Sequence, residues 1–148
     1  MKSSPELLKF VESWEGERLS PYKDAGGHFT IGVGHLMADG ESMSPITEEE
    51  ALAILASDLN FAEKAVNSLV KVPLRQNQFD ALVDFVFNCG ANAFRGSKLL
   101  IYLNAGNYSA AADSMLNWNH IGNVVSAGLT RRRAAERILF INGVYGHN

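Results

Sequence analysis

Apolar residues recur at helical spacing near the start of the chain, where Leu7, Leu8, Val11 and Trp14 form one stripe. Ser3 or Ser4 followed by Pro5 supplies a start signal, so a first helix is predicted to give out at Glu15. The pattern then changes. Arg18–Tyr22 and His28–Val33 read as strands, with Lys23-Asp24-Ala25-Gly26-Gly27 turning between them, because glycine accepts positive φ at low steric cost. His35 to Pro45 reads as a loop around the turn dipeptide Asp39-Gly40.

Helical spacing returns after Ile46. Thr47 can cap, Glu50 can close a capping box, and the run Glu48-Glu49-Glu50 suits the positive end of a helix dipole better than a metal site. Ala51, Leu55, Asp58, Ala62, Ala65, Val66 and Leu69 share a face, apolar except for Asp58, and predict a spine of more than twenty residues over 47–70. Pro73 ends it. Phe79, Leu82, Val83, Val86 and Phe87 then mark a central core helix stopped by Gly90. Ser97 is expected to cap a short helix carrying Leu99, Leu100 and Leu103, and Ser109 another carrying Ala112, Met115 and Leu116. Gly122 and Gly128 bracket a loop, and a last helix runs from about Thr130 to Phe140, ending at Gly143. The pattern predicts an α+β chain: a small α/β lobe at about 15–46, a linking helix at about 47–70, and an all-helical lobe at about 71–148. A cleft is expected between the lobes.

Composition adds bounds. A chain of 148 residues, 47% hydrophobic and 20% charged, is read as one soluble globular domain able to bury a core. Cys89 is the only cysteine, which excludes an internal disulfide; at the end of the core helix it reads as a buried, inert thiol. The opening MKSSPELLKFVESWEG reads as neither a signal peptide nor a membrane span, so no stable membrane association is expected. The net charge of −3 is unevenly shared: residues 1–70 carry 5 basic and 12 acidic side chains, and residues 71–148 carry 8 and 4. Such a split either steers an anionic substrate onto the second half or reflects solvated helix faces. The acidic balance and the lack of a basic-aromatic ladder argue against a nucleic-acid partner.

The candidate chemistry lies in the hairpin. Glu15, Asp24 after eight residues and Thr30 after five more would reach one wall if the hairpin follows directly on the helix end. Two facing carboxylates are what glycosidic hydrolysis needs, one to protonate the leaving oxygen and one kept ionised to activate water or attack the sugar. Taken alone, the spacing more often marks an ordinary surface pair, and Thr30 without its two partners reads as a plain strand residue.

The string EGERLSPYKDAGGHFTIGVGH resembles the catalytic segment of phage-type lysozymes (endolysins), glycoside hydrolase family 24. Their pattern of Glu, eight residues, Asp, five residues, Thr, then Ile-Gly-x-Gly-His is matched here by Glu15, Asp24, Thr30, Ile31, Gly32, Gly34 and His35. PLRQNQFDALVDFVFNCGANAFRGSKLL and GLTRRRAAERILF resemble later segments of the same family, so the likeness spans nearly the whole chain. It implies a lysozyme-like fold and a muramidase that hydrolyses the β-1,4 bond between N-acetylmuramic acid and N-acetylglucosamine, with inversion. Glu15 would be the general acid, with Asp24 and Thr30 holding and activating water.

The resemblance also implies Arg132 as an ion-pair partner of Glu15, with Arg131 and Arg133 solvated or in contact with the wall. Leu36, Phe87 and Ser97 align with cleft-lining positions, and each also reads structurally, the first two as core and Ser97 as a cap. His35 is expected to be structural, and Trp118 to pack. His28, His120 and His147 are scattered with no metal-ligand spacing, and neither metal nor cofactor is implied.

The implied partners are peptidoglycan glycan strands acted on by a monomer. After synthesis in the host cytoplasm, such an enzyme reaches the wall once the membrane is permeabilised, with a holin providing release. Two other readings remain: a lytic transglycosylase leaving 1,6-anhydro ends, which needs no water-activating Asp24, and a non-catalytic wall-binding module.

Overall fold

The computed structural model describes residues 1–146; His147 lies outside the described residues. Helix α1 (Pro5–Glu15) starts at Ser4, whose hydroxyl accepts the N–H of Leu7, and buries Leu7, Phe10 and Val11. Trp14 is half-buried and packs edge-on to Phe10. Strands β1 (Arg18–Lys23), β2 (Phe29–Gly32) and β3 (His35–Leu36) then form an antiparallel sheet in the order β1-β2-β3. The ladder between β1 and β2 is irregular between Arg18 and Tyr22, where Pro21 has no N–H to contribute. Strand β3 lies in the stretch expected to be loop. It is only two residues long, too short for an alternating pattern to show, and pairs Leu36 with Thr30 and His35 with Ile31.

Thr47 and Glu50 close a capping box at the head of α2 (Glu48–Asp58). The expected spine is present as two segments, α2 and α3 (Asn60–Leu69), meeting at Leu59. Leu59 keeps near-helical angles (φ −76°, ψ −11°) and is bonded on both sides, its N–H to Leu55 O and its carbonyl from Glu63 N, so the hydrogen-bonded path continues across the junction. Asp58 and Asn60 flank the junction, both residues whose side chains compete for backbone hydrogen bonds.

Helix α4 (Gln76–Cys89) is buried on every side from Gln78 to Val86, which makes it the axis of the helical region. Around it pack α3, α5 (Ala91–Arg95) and, later in the chain, α8 (Ala127–Asn142). Helix α6 (Lys98–Asn104) is capped by Ser97, and α7 (Tyr108–Met115) by Asn107 rather than Ser109, because the Asn107 carboxamide reaches the N–H of Ala110.

The helical region is not purely helical. His120–Ile121 (β4) and Val124–Val125 (β5) form a small hairpin around Gly122-Asn123, where Gly122 has φ +62°. Gly128 lies inside α8, which begins three residues earlier than expected because Ser126 supplies its cap. The core joins α1, α2, α3, α4, α6 and α8 through Leu7, Leu55, Val66, Phe79, Leu103 and Leu139, and Val33 ties the sheet to it.

Candidate active site

Glu15 is the last residue of α1. Gly16 follows with φ +76° and donates its N–H to Glu12 O, turning the chain away and leaving the Glu15 carboxyl at the helix mouth, 27% exposed. Two groups flank it. Gly34, in the turn between β2 and β3, has φ +69°, and a Cβ built there would lie 3.4 Å from Glu15 Oε2, so glycine lets the backbone come this close. From the other side, Arg132 of α8 donates from Nη1 to Glu15 Oε1 at 2.7 Å.

Arg132 is itself anchored. Its Nε and Nη2 donate to Asp84 Oδ2 and Oδ1 at 3.0 and 2.7 Å, a bidentate fork from α8 to α4. Burial weakens the guanidinium's hold on its proton, but the carboxylates of Asp84 and Glu15 outweigh that and raise its pKa. Burial likewise works against ionisation of the fully buried Asp84, yet the Arg132 charge beside it keeps its pKa below the usual range. The neighbouring Glu136 is pushed the other way: it has no exposure, it is hydrogen-bonded to Asp84, and Asp84's negative charge adds to the burial. The pair thus divides in direction, with ionisation favoured at Asp84 and disfavoured at Glu136.

Asp24 sits where β1 runs into its turn. Its Oδ1 accepts the backbone N–H groups of Gly26 and His28, both at 2.9 Å, and the His28 ring lies 3.6 Å away. The His28 N–H is the main reason its pKa falls below the usual carboxylate value; desolvation opposes this, and the Gly26 N–H and the imidazole reinforce it. Thr30 is central in the sheet, opposite Tyr22 and Leu36, and 5% exposed. Its Oγ1 lies 3.3 Å from His28 O.

The aligned cleft residues differ in what they present. Leu36 is 60% exposed. Phe87 is half-buried, its ring 6.2 Å from that of Phe61. Ser97 is buried, and its hydroxyl donates to Phe94 O and accepts from Leu100 N.

The three consecutive arginines separate. Arg131 is exposed, but Arg133 is wholly buried rather than solvated. Its guanidinium donates to Asn88 Oδ1 at 2.6 Å and to Cys89 Sγ at 2.5 Å, faces the Phe85 ring, and pairs with Glu136. Cys89 is half-buried rather than enclosed, with burial lifting its pKa above the ordinary thiol value. It lines a depression of about 570 Å³ with Trp118, His120 and Ile121. Trp118 packs edge-on to Phe85, with ring centres 5.6 Å apart.

His35 is held by two carboxylates. Nδ1 lies 2.8 Å from Asp58 Oδ2, and Nε2 lies 3.2 Å from Glu41 Oε1. Burial lowers its pKa, but the two acids outweigh this and raise it. Its place is between β3, α2 and the 37–41 loop, which makes it a brace for the sheet.

Sequence reasoning missed Asp84 and Glu136. Both lie on faces otherwise buried, and a carboxylate interrupting the apolar run Ala81-Leu82-Val83-Asp84-Phe85-Val86 was the available signal. Glu12, Glu17 and Glu48 also come together, with one carboxylate oxygen of each within 4.8 Å of the others.

Residues 12–136 match the model of the family described as phage lysozyme. The endolysin of Salmonella phage P22 is 48% identical over 96% of this chain and 99% of its own length. Among solved structures, an endolysin from the Escherichia coli O157:H7 phage FAHEc1 superposes with a TM-score of 0.91 at 36% identity, covering 99% of this chain and 97% of its own. The muramidase domain of SpmX from Asticaccaulis excentricus gives a TM-score of 0.86 at 41% identity, with coverage of 95% and 98%. A family match over residues 12–136, together with relatives of this identity and coverage, makes this chain a member of the phage lysozyme family, a muramidase-type glycoside hydrolase that degrades peptidoglycan.

Proposed function

We propose that the chain hydrolyses the β-1,4 bond between N-acetylmuramic acid and N-acetylglucosamine with inversion, using Glu15 as general acid and Asp24 with Thr30 to place and activate water. The observation that carries this reading is the unequal treatment of the two carboxyls. Glu15 is oriented through a buried Arg132–Asp84 fork. Asp24 is kept ionised by backbone N–H groups and reaches solvent. The acid gives its proton to the glycosidic oxygen as the bond to the anomeric carbon breaks. The ionised carboxylate stabilises positive charge on the sugar and takes the proton from the water that attacks the opposite face. This geometry asks for carboxyl groups about 6.5–9.5 Å apart, leaving room for that water.

The test is digestion of purified peptidoglycan by wild type and by Glu15→Gln, with products read by mass spectrometry and the new anomer by proton NMR. Reducing muramic acid ends of α configuration from wild type, and almost none from the variant, are expected. Anhydro ends would replace hydrolysis with transglycosylation, and β ends would replace inversion with retention.

We infer further that the enzyme acts as a monomer and reaches the wall after a separate holin has breached the membrane. Among the described residues no helix is long and apolar enough to cross a membrane. Expression in a host should cause lysis only when a holin or a permeabilising solvent is added, and light scattering should return the mass of one chain.

A further inference from the structure

The first turns of α4 and α7 open onto one groove that the proposed chemistry does not use. Two adjoining depressions, of about 210 and 400 Å³, share Arg75, Gln78 and Tyr108, and the smaller one is also lined by Ser109, Phe140 and Ile141. Arg75 stands at the N-cap of α4, a place where arginine serves folding poorly. Its side chain has no acceptor for the free N–H groups of the first turn, and its charge lies at the positive end of the helix dipole. Neither α4 nor α7 has an acidic residue in its first turn to offset that field. Arg75 is exposed and makes no ion pair among the described residues.

Gln78 adds a buried donor. It is 7% exposed, and its Oε1 accepts the Arg75 N–H at 2.9 Å, which fixes which end of the carboxamide is Nε2. That nitrogen has no hydrogen-bond partner among the described residues, and the side chain lines both depressions. The walls are held in place by other bonds. Asn77 Nδ2 donates to Leu139 O and Phe140 O, both at 3.0 Å, which ties the start of α4 to the end of α8. Tyr108 Oη donates to Pro73 O at 2.7 Å, and its ring centre lies 6.5 Å from that of Phe140. Ser109 is released from capping because Asn107 caps α7.

We propose that this groove binds the terminal carboxylate of a peptide ending in a small apolar residue, the chemistry of an alanine-ended stem peptide of peptidoglycan. The assignment rests on peptidoglycan being the substrate and not on how the glycosidic bond is broken. Arg75 and Gln78 Nε2 supply donors, Ser109 a hydroxyl, and two helix N-termini a field that favours an anion. Tyr108 and Ile141, the latter 43% exposed, offer apolar surface to a methyl group. Donors on one side and apolar wall on the other suit a carboxylate carried beside a methyl better than a phosphate, which presents oxygen in every direction. Arg75 lies about 13 Å along α4 from Asp84, the anchor of Arg132, so the groove is a hold on the wall separate from the cleft.

The test is titration of isotope-labelled protein with N-acetyl-D-alanyl-D-alanine, with its C-terminal amide and with inorganic phosphate. NMR reads the Gln78 side-chain amide and the backbone N–H groups of Gln76 and Ser109. Saturable shifts with the acid and none with the amide are expected. Affinity should fall at least about tenfold in Arg75→Gln, the loss expected for one charge-assisted hydrogen bond, and about threefold in Ser109→Ala. Equal shifts from acid and amide, no saturable shift from the acid, or unchanged affinity in Arg75→Gln would overturn the site. Saturation by phosphate alone would assign the groove to a phosphate ligand and overturn the peptide. No bond is cleaved in this titration, so its failure stands apart from that of the muramidase mechanism, which the product analysis decides.

Discussion

At the scale of residues, the site separates two carboxyl groups by what surrounds them. Glu15 meets one guanidinium, whereas Asp24 meets backbone N–H groups and water. Replacing Glu15 by Gln keeps the shape and removes the proton, so activity should fall by about 10²–10⁴-fold with thermal stability nearly unchanged. Asp84→Ala differs in kind. It leaves Arg132 in a buried position without its bidentate partner, and a loss of about 3–5 kcal/mol is expected from breaking such a pair, measured as a lower urea midpoint.

Glu136 makes a prediction about pH. Its folded pKa lies above the unfolded value, so its neutral form favours the native state, and that contribution is full below about pH 4.5 and is lost as pH rises through the folded pKa. Glu136→Gln should flatten the decline of melting temperature between about pH 4.5 and the folded pKa. None of this could be read along the chain. Arg132 and Arg133 are adjacent, but one faces a carboxyl at the helix mouth and the other Asn88, Cys89 and Glu136, a difference set by the rotation of α8 against α4.

Elements were legible where their signals are local. The Ser4 and Thr47 caps, the Gly90 stop and the glycine turn after Asp24 each depend on a few neighbouring residues, and each formed at the expected place. Strand β3 and the β4–β5 hairpin have two residues per strand, too short for periodicity, and exist because a partner strand lies alongside. The junction at Leu59 belongs with them, since the apolar face continues across it while the helix is assigned as two segments.

His35 joins the two kinds of information, because its motif is local but its role is to fasten β3 to α2 through Asp58. Its pKa is raised in the folded state, so the pairing stabilises below the unfolded value near 6.5 and is lost as pH rises through the folded pKa. His35→Gln should therefore cost most stability at about pH 5–6 and progressively less in alkali. A stability difference that grew with pH would contradict the brace.

For the whole molecule, charge and burial act together. Of the basic residues beyond position 70, Arg132 and Arg133 are buried while Lys71, Arg75, Arg95, Lys98 and Arg131 are exposed; of the acidic ones only Asp113 is exposed. Burial removes bases and acids alike, so the second half shows solvent a positive face that matches its formal excess of basic residues, set against an acidic first half. Activity on intact peptidoglycan, which bears stem carboxylates, should fall as ionic strength rises, through KM rather than kcat. Short uncharged glycans should be insensitive to salt. A salt effect confined to kcat would locate the cause in the site instead.

The link between Glu15 and Arg132 spans 117 positions of sequence. On a ribosome adding about 5–20 residues per second, Glu15 leaves the tunnel many seconds before the arginine that bonds to it. Until α8 docks against α4, the hairpin and helix mouth can exist with the Glu15 carboxyl unheld. On the mechanism proposed above, maturation of the cutting edge waits on the last described helix, and a prematurely terminated product carries the motif without the means to aim it.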